Sequence, residues 1–152
     1  MREGRRILDQ LERSFKARAW HGSAVLELLK GVTVDQAVQR PIAGAHTIAE
    51  IVRHMTTWKR VVARRLAGVQ VKEVPAEVDW PPAAIGTDKE WRALVAQLRR
   101  AHTELVAAAG KVRDPLLDRA PAHGTTARYV LLHGIIQHDL YHAGQIGLLK
   151  KV

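Results

Sequence analysis

The sequence contains no cysteine. Disulfides, thiolate metal sites and a cysteine nucleophile are therefore excluded together. Any metal this chain binds must take nitrogen or oxygen ligands. Long apolar runs are missing too: no stretch approaches the roughly 18–20 residues that a spanning helix requires. The opening MREGRRILDQLERSFK is charged throughout and has no apolar h-region, so no secretory signal is expected there. Strand signals are weak. No long alternating run stands out, and no Asn-Gly or Asp-Gly hairpin pair occurs. These absences leave a cytoplasmic all-α protein with no membrane partner as the expectation.

What is present supports it. A length of 152 residues with 47% hydrophobic and 26% charged residues suits one domain over residues 1–152 with a sizeable core. The formal net charge is +9, which favours an anionic partner. The basic residues are scattered, however. Their densest groups are only Arg5–Arg6, Arg64–Arg65, Arg99–Arg100 and Lys150–Lys151. That pattern reads first as a solvated basic surface, and no helix-turn-helix or zinc-finger pattern supports a nucleic-acid partner.

Hydrophobic spacing is helical almost throughout. Leu8, Leu11, Phe15, Ala19, Gly22, Leu26 and Leu29 recur at intervals of three and four, predicting one amphipathic helix that Gly31 ends. Thr47 and Glu50 have capping-box spacing and open a second helix, with Ile48, Ile51, Met55, Trp58, Val62 and Leu66 along its stripe and Gly68 at its end. Residues 70–86, with Pro75, Pro81, Pro82 and Gly86, read as a long connection. Thr87 and Glu90 form a second capping box before a third helix, which ends at Gly110. A further irregular stretch precedes a fourth helix, for which Thr125 or Thr126 is the expected cap. Four such helices predict a four-helix bundle with long connections.

The fourth stripe is Leu131, Ile135, His138, His142, Ile146 and Leu149. Residues four apart on a helix differ by roughly 40° in direction and about 6 Å in height. His138 and His142 can thus converge on one point. Imidazole suits zinc, nickel, copper or iron, but two ligands are too few for a tight site. His54, beside the stripe of the second helix, is the chosen third ligand, since bundle sites draw ligands from facing helices. The same histidines are also compatible with a buried polar network without metal. His102, between Leu98 and Leu105, is either a rival ligand or a buried hydrogen-bond partner. His46 is expected to cap or pack. His133 points away from His142, and His21 and His123 look like surface or loop residues.

His138 and His142 also have the spacing of the zinc-protease helix motif, with Asp139 in place of its glutamate. In that motif the acid is a general base beside the metal. Aspartate is one methylene shorter, so Asp139 is read as a partner of a ligand histidine or as a solvent-exposed residue. A protease is not expected. Gly144, costly inside a helix, suggests close approach of another helix or a ligand. Gln145 and Trp58 are placed to face the same cavity as the histidines.

In order and context these segments resemble the DinB-like superfamily. The resemblance rests on TIAEIVRH from Thr47 to His54, on HDLYHAGQI from His138 to Ile146, and on Arg40, Pro41 and Gly44 before the second helix. The layout covers nearly the whole chain, and the specific motifs about 25 residues. The resemblance implies a four-helix bundle, often a homodimer, with a three-histidine site for zinc or nickel at His54, His138 and His142. It further implies a metal-dependent hydrolase or a thiol-dependent S-transferase, related to bacillithiol- and mycothiol-dependent enzymes, acting on a small-molecule substrate. A low-molecular-weight thiol would fit both the resemblance and the missing cysteine. The alternatives are a non-catalytic metal-binding or stress-response protein, and a DNA-damage-related nucleic-acid binder.

Overall fold

A computed structural model describes residues 2–152. Among the described residues there are seven α-helices and no strand. Four are long: α1 (Glu3–Phe15), α4 (Ile48–Leu66), α6 (Asp88–Gly110) and α7 (Arg128–Leu149). Between them lie the short α2 (Val25–Leu29), α3 (Val34–Val38) and α5 (Ala76–Asp79). Both α1 and α4 pack on α6 and on α7, so the four long helices form the expected bundle.

Local chemistry sets most helix boundaries. At the start of α4, Thr47 Oγ1 accepts the Glu50 N–H at 3.1 Å, and the Glu50 carboxylate accepts the Thr47 N–H at 2.8 Å. Thr87 and Glu90 do the same for α6. Gly68, at φ +78°, follows α4 in the left-handed region that glycine tolerates.

Two boundaries differ from the sequence reading. The first predicted helix is broken after Phe15 and resumes at Val25. Arg18 (φ 67°) and Gly22 (φ 74°) both turn left-handed there. The stripe positions inside the break are Ala19 and Gly22, which have too little apolar surface to hold a helix in place. Helix α7 begins without a threonine cap, because its N-cap is Ala127. Its first N–H groups donate instead to backbone carbonyls: Arg128 to Arg119 at 3.2 Å and Tyr129 to Leu117 at 3.0 Å.

The apolar core is divided in two. One cluster takes Phe15, Ile51, Met55, Leu98 and Ile146; the other takes Leu11, Val62, Leu105, Leu132 and Ile135. On α4, α6 and α7 the residue between the two sets is polar: Lys59, His102 and Asp139. Lys59 and Asp139 have no exposed surface, and His102 is 1% exposed. Lys59 Nζ donates to both Asp139 carboxylate oxygens, at 2.7 and 2.6 Å, and reaches His102 Nδ1 at 3.3 Å. Helix α1 completes the layer: the Phe15 ring stacks on His102 at 3.9 Å and lies 4.5 Å from Lys59 Nζ.

Burial pushes the Asp139 carboxyl up and the Lys59 ammonium down, while their direct contact opposes both shifts. A buried pair of this kind is worth little against an apolar replacement, but removing one partner strands the other. Lys59→Met alone, or Asp139→Leu alone, is therefore expected to cost about 3–5 kcal/mol. The double variant should recover most of that loss. Urea unfolding of the three variants checks this; simple additivity of the two single losses would show that the pair is not a coupled unit.

Candidate metal centre

Three imidazoles converge at the interface of α4 and α7. His138 Nε2 lies 2.9 Å from His54 Nε2 and 3.2 Å from His142 Nε2. One nitrogen from each ring lies within 4.8 Å of the others. Nitrogens each about 2.0–2.1 Å from one ion at tetrahedral angles stand roughly 3.3 Å apart, close to the two short separations here. His54 and His142 are buried and His138 is half-buried, so the cluster is approached from the His138 side.

The outer nitrogens determine which form of each ring is present. His54 Nδ1–H donates to the Asp79 backbone carbonyl at 2.8 Å, with the Asp79 carboxylate 3.0 Å away. His142 Nδ1–H donates to Gln145 Oε1 at 2.6 Å. With those protons on Nδ1, the Nε2 atoms of His54 and His142 present lone pairs. A single proton on His138 Nε2 could serve only one of them. A cation between the rings serves all three, so the donor set fits a divalent metal ion. His138 Nδ1 is buried and has no hydrogen-bond partner among the described residues, so His138 is the least constrained of the three rings.

The electrostatics agree. Burial first, and then the neighbouring rings, hold His138 at about 3. Burial likewise holds His142 at about 4 and lowers His54. All three are neutral near pH 7, as metal ligation by imidazole requires.

The connection from 70 to 86 completes the surroundings. Trp80, at the end of α5, is sandwiched between His46 (3.5 Å, 4°) and His54 (3.8 Å, 5°). Asp79 accepts from the Trp58 indole N–H at 2.6 Å as well as from His54. Arg53 donates to the Pro82 carbonyl and ties the segment back to α4.

With this geometry described, comparison with known proteins is decisive on ancestry. A family model described as the DinB superfamily matches residues 18–146. The chain belongs to the DinB superfamily. No curated protein and no solved structure matches it.

Within this DinB-superfamily chain, the three histidines read from spacing come together. His102 does not join them; it is the buried partner of Lys59. His46 packs, as expected, and its Nδ1 lies 3.4 Å from Glu50. His133, His21 and His123 are exposed. Asp139 faces away from the histidines and into the bundle, so it is neither solvent-exposed nor a ligand's partner. Gly144 marks no close approach, since a Cβ there would meet nothing within 4 Å.

Asp79, Trp80 and Lys59 were not singled out by the sequence reading. The first two lie in the connection, where periodicity carries no information. Lys59 did leave a signal: it follows Met55 by four and precedes Val62 by three, a charge inside an apolar stripe.

These shifts set a pH dependence. The unfolded chain protonates its imidazoles near 6.5, whereas folded His138, His142 and His102 resist protonation until about 3, 4 and 2. Between these limits the unfolded state binds more protons and is favoured. Metal-free protein should therefore be most stable above about pH 6.5 and lose stability steadily as pH falls toward about 4. Urea midpoints measured in chelator from pH 7.5 to 4.5 check this; a flat profile would mean that the imidazoles take up protons as readily in the folded as in the unfolded chain.

Proposed function

We propose that this chain is a divalent-metal-dependent enzyme, with His54, His138 and His142 as the metal ligands through Nε2. One observation carries the reading: the Nε2 atoms of three imidazoles from two helices converge, at 2.9 and 3.2 Å from His138, while the Nδ1 protons of His54 and His142 are committed elsewhere. Three protein ligands leave a coordination position for substrate, which favours a catalytic over a closed structural site. A bound divalent cation, zinc or nickel as the family resemblance implies, would supply Lewis acidity to whatever occupies that position.

The chain's own residues have defined tasks in this reading. Asp79 and Gln145 fix the ring orientations of His54 and His142. Trp80 covers His54 and limits the approach of water from that side. The reaction class is hydrolysis or thiol-dependent transfer to or from a small molecule. A chain with no cysteine must receive any reacting thiol as a separate low-molecular-weight compound. A single domain over residues 1–152 is supported by the polar layer to which all four long helices contribute. A homodimer, by family resemblance, and a cytoplasmic setting complete the reading.

Elemental analysis of tag-free protein, after metal addition and removal of excess, should find about one zinc or nickel ion per chain. The His138→Ala/His142→Ala double variant should retain none. Gln145→Leu should keep the ion but bind it about 10–100-fold more weakly, because the orienting acceptor is gone. Failure of the wild-type protein to retain metal would sink the reading and leave the histidines as a polar network. Catalysis is tested separately, by turnover that chelator abolishes and metal restores.

A further inference from the structure

A cavity of about 280 Å³ opens beside the histidine cluster, lined by Trp58, Val62, Leu131, Gly134, Ile135 and His138, with Arg65 also on its wall. Apart from Thr126, its walls come from the same two helices as the three histidines. On α4, His54, Trp58, Val62 and Arg65 succeed one another at intervals of four, four and three, one helical turn per step. On α7, Gly134 lies one turn before His138. The groove between the helices thus runs from the exposed side of the cluster toward Arg65.

Three features describe what fits there. Most of the lining is apolar; its polar groups are His138 and Arg65 at the two ends and the Thr126 hydroxyl. A Cβ on Gly134 would meet nothing within 4 Å, so the glycine leaves space that a side chain would fill. The Arg65 guanidinium lies 5.8 Å from the Trp58 ring, whose centroid is 6.3 Å from that of His138, so little more than one indole separates cation from candidate ligand. Among the described residues no carboxylate lies within ion-pair distance of Arg65. A second cavity, lined in part by His123 and Thr125, shares Arg65, Thr126 and Leu131 with the first, so Arg65 stands where the two meet.

We infer that this cavity is the substrate subsite and that it takes a small molecule with an apolar body and one anionic group, the anion being held by Arg65. The inference rests on the metal-centre reading for its catalytic meaning, though not for binding. An apolar body of roughly the size of a phenylpropyl group fits the volume, and a planar guanidinium suits a carboxylate or phosphate. Such a ligand would present its other end to the histidine cluster.

The probe is 3-phenylpropionate, with its neutral isostere 3-phenylpropionamide as control. Each is titrated into ¹⁵N-labelled protein by NMR, with and without zinc. The acid is expected to bind both forms and to shift the Trp58 indole and Gly134 signals. Arg65→Gln should weaken acid binding at least tenfold and leave the amide unchanged. Gly134→Leu should weaken both ligands at least tenfold. Gly134→Ala, which adds a methyl with no neighbour, should stay folded and weaken both by a smaller factor. Absence of acid binding, or acid binding indifferent to Arg65→Gln, would overturn the inference. Acid binding that requires zinc and ignores Arg65 would also overturn it, while leaving the metal centre standing. Arg65-dependent binding in a protein that takes up no zinc would support the subsite and remove the metal centre.

Discussion

A lysine and an aspartate without exposed surface are tolerable in a helical bundle only while they face each other. Lys59 and Asp139 meet this condition across α4 and α7, and the rest of the arrangement follows from it. Sliding α4 by one turn would set the Asp139 carboxylate against Met55 or Val62 instead of Lys59. That penalty fixes the register of the two helices. His54 lies five residues before Lys59, and His138 immediately precedes Asp139. The contact that fixes the helices therefore also fixes the histidines.

The same layer divides the apolar core, and the division keeps two polar groups of residues chemically separate. Inside the bundle, Asp139 is spent on Lys59 and offers nothing to the histidines. Outside it, Asp79 and Gln145 orient His54 and His142. Neighbouring residues on α7 thus work in different environments, because a helix turns about 100° per residue. The zinc-protease spacing around Asp139 is misleading for this reason: the acid is present, but on the wrong side of the helix.

The four-helix architecture was legible because long amphipathic stripes and two Thr-x-x-Glu boxes leave period and punctuation in the sequence. The histidine cluster was legible because i, i+4 geometry is fixed by the helix itself. The break after Phe15 was hidden, since alanine and glycine continued the period without contributing burial. The roles of Asp79 and Trp80 were hidden as well. They depend on where a proline-rich connection lands, and no local rule encodes that. Lys59 was visible in principle as a charge on an apolar stripe, and Asp139 as its complement on another. Only their contact across the bundle shows that each explains the other.

The connection that carries Asp79 and Trp80 differs in kind from the helices it touches. It presses on the outer face of His54 through one stacked indole and one carbonyl, and it is tied down at Arg53. Its Trp80, Ala83 and Ile85 pack, partly buried, against one core cluster, while the register of the long helices rests on the Lys59–Asp139 contact. Sequence change there alters the polarity and shielding around His54 more than the register of α4 on α7. The three histidines stand on α4 and α7, so redrafting this loop changes what surrounds His54 and leaves their spacing to the helices.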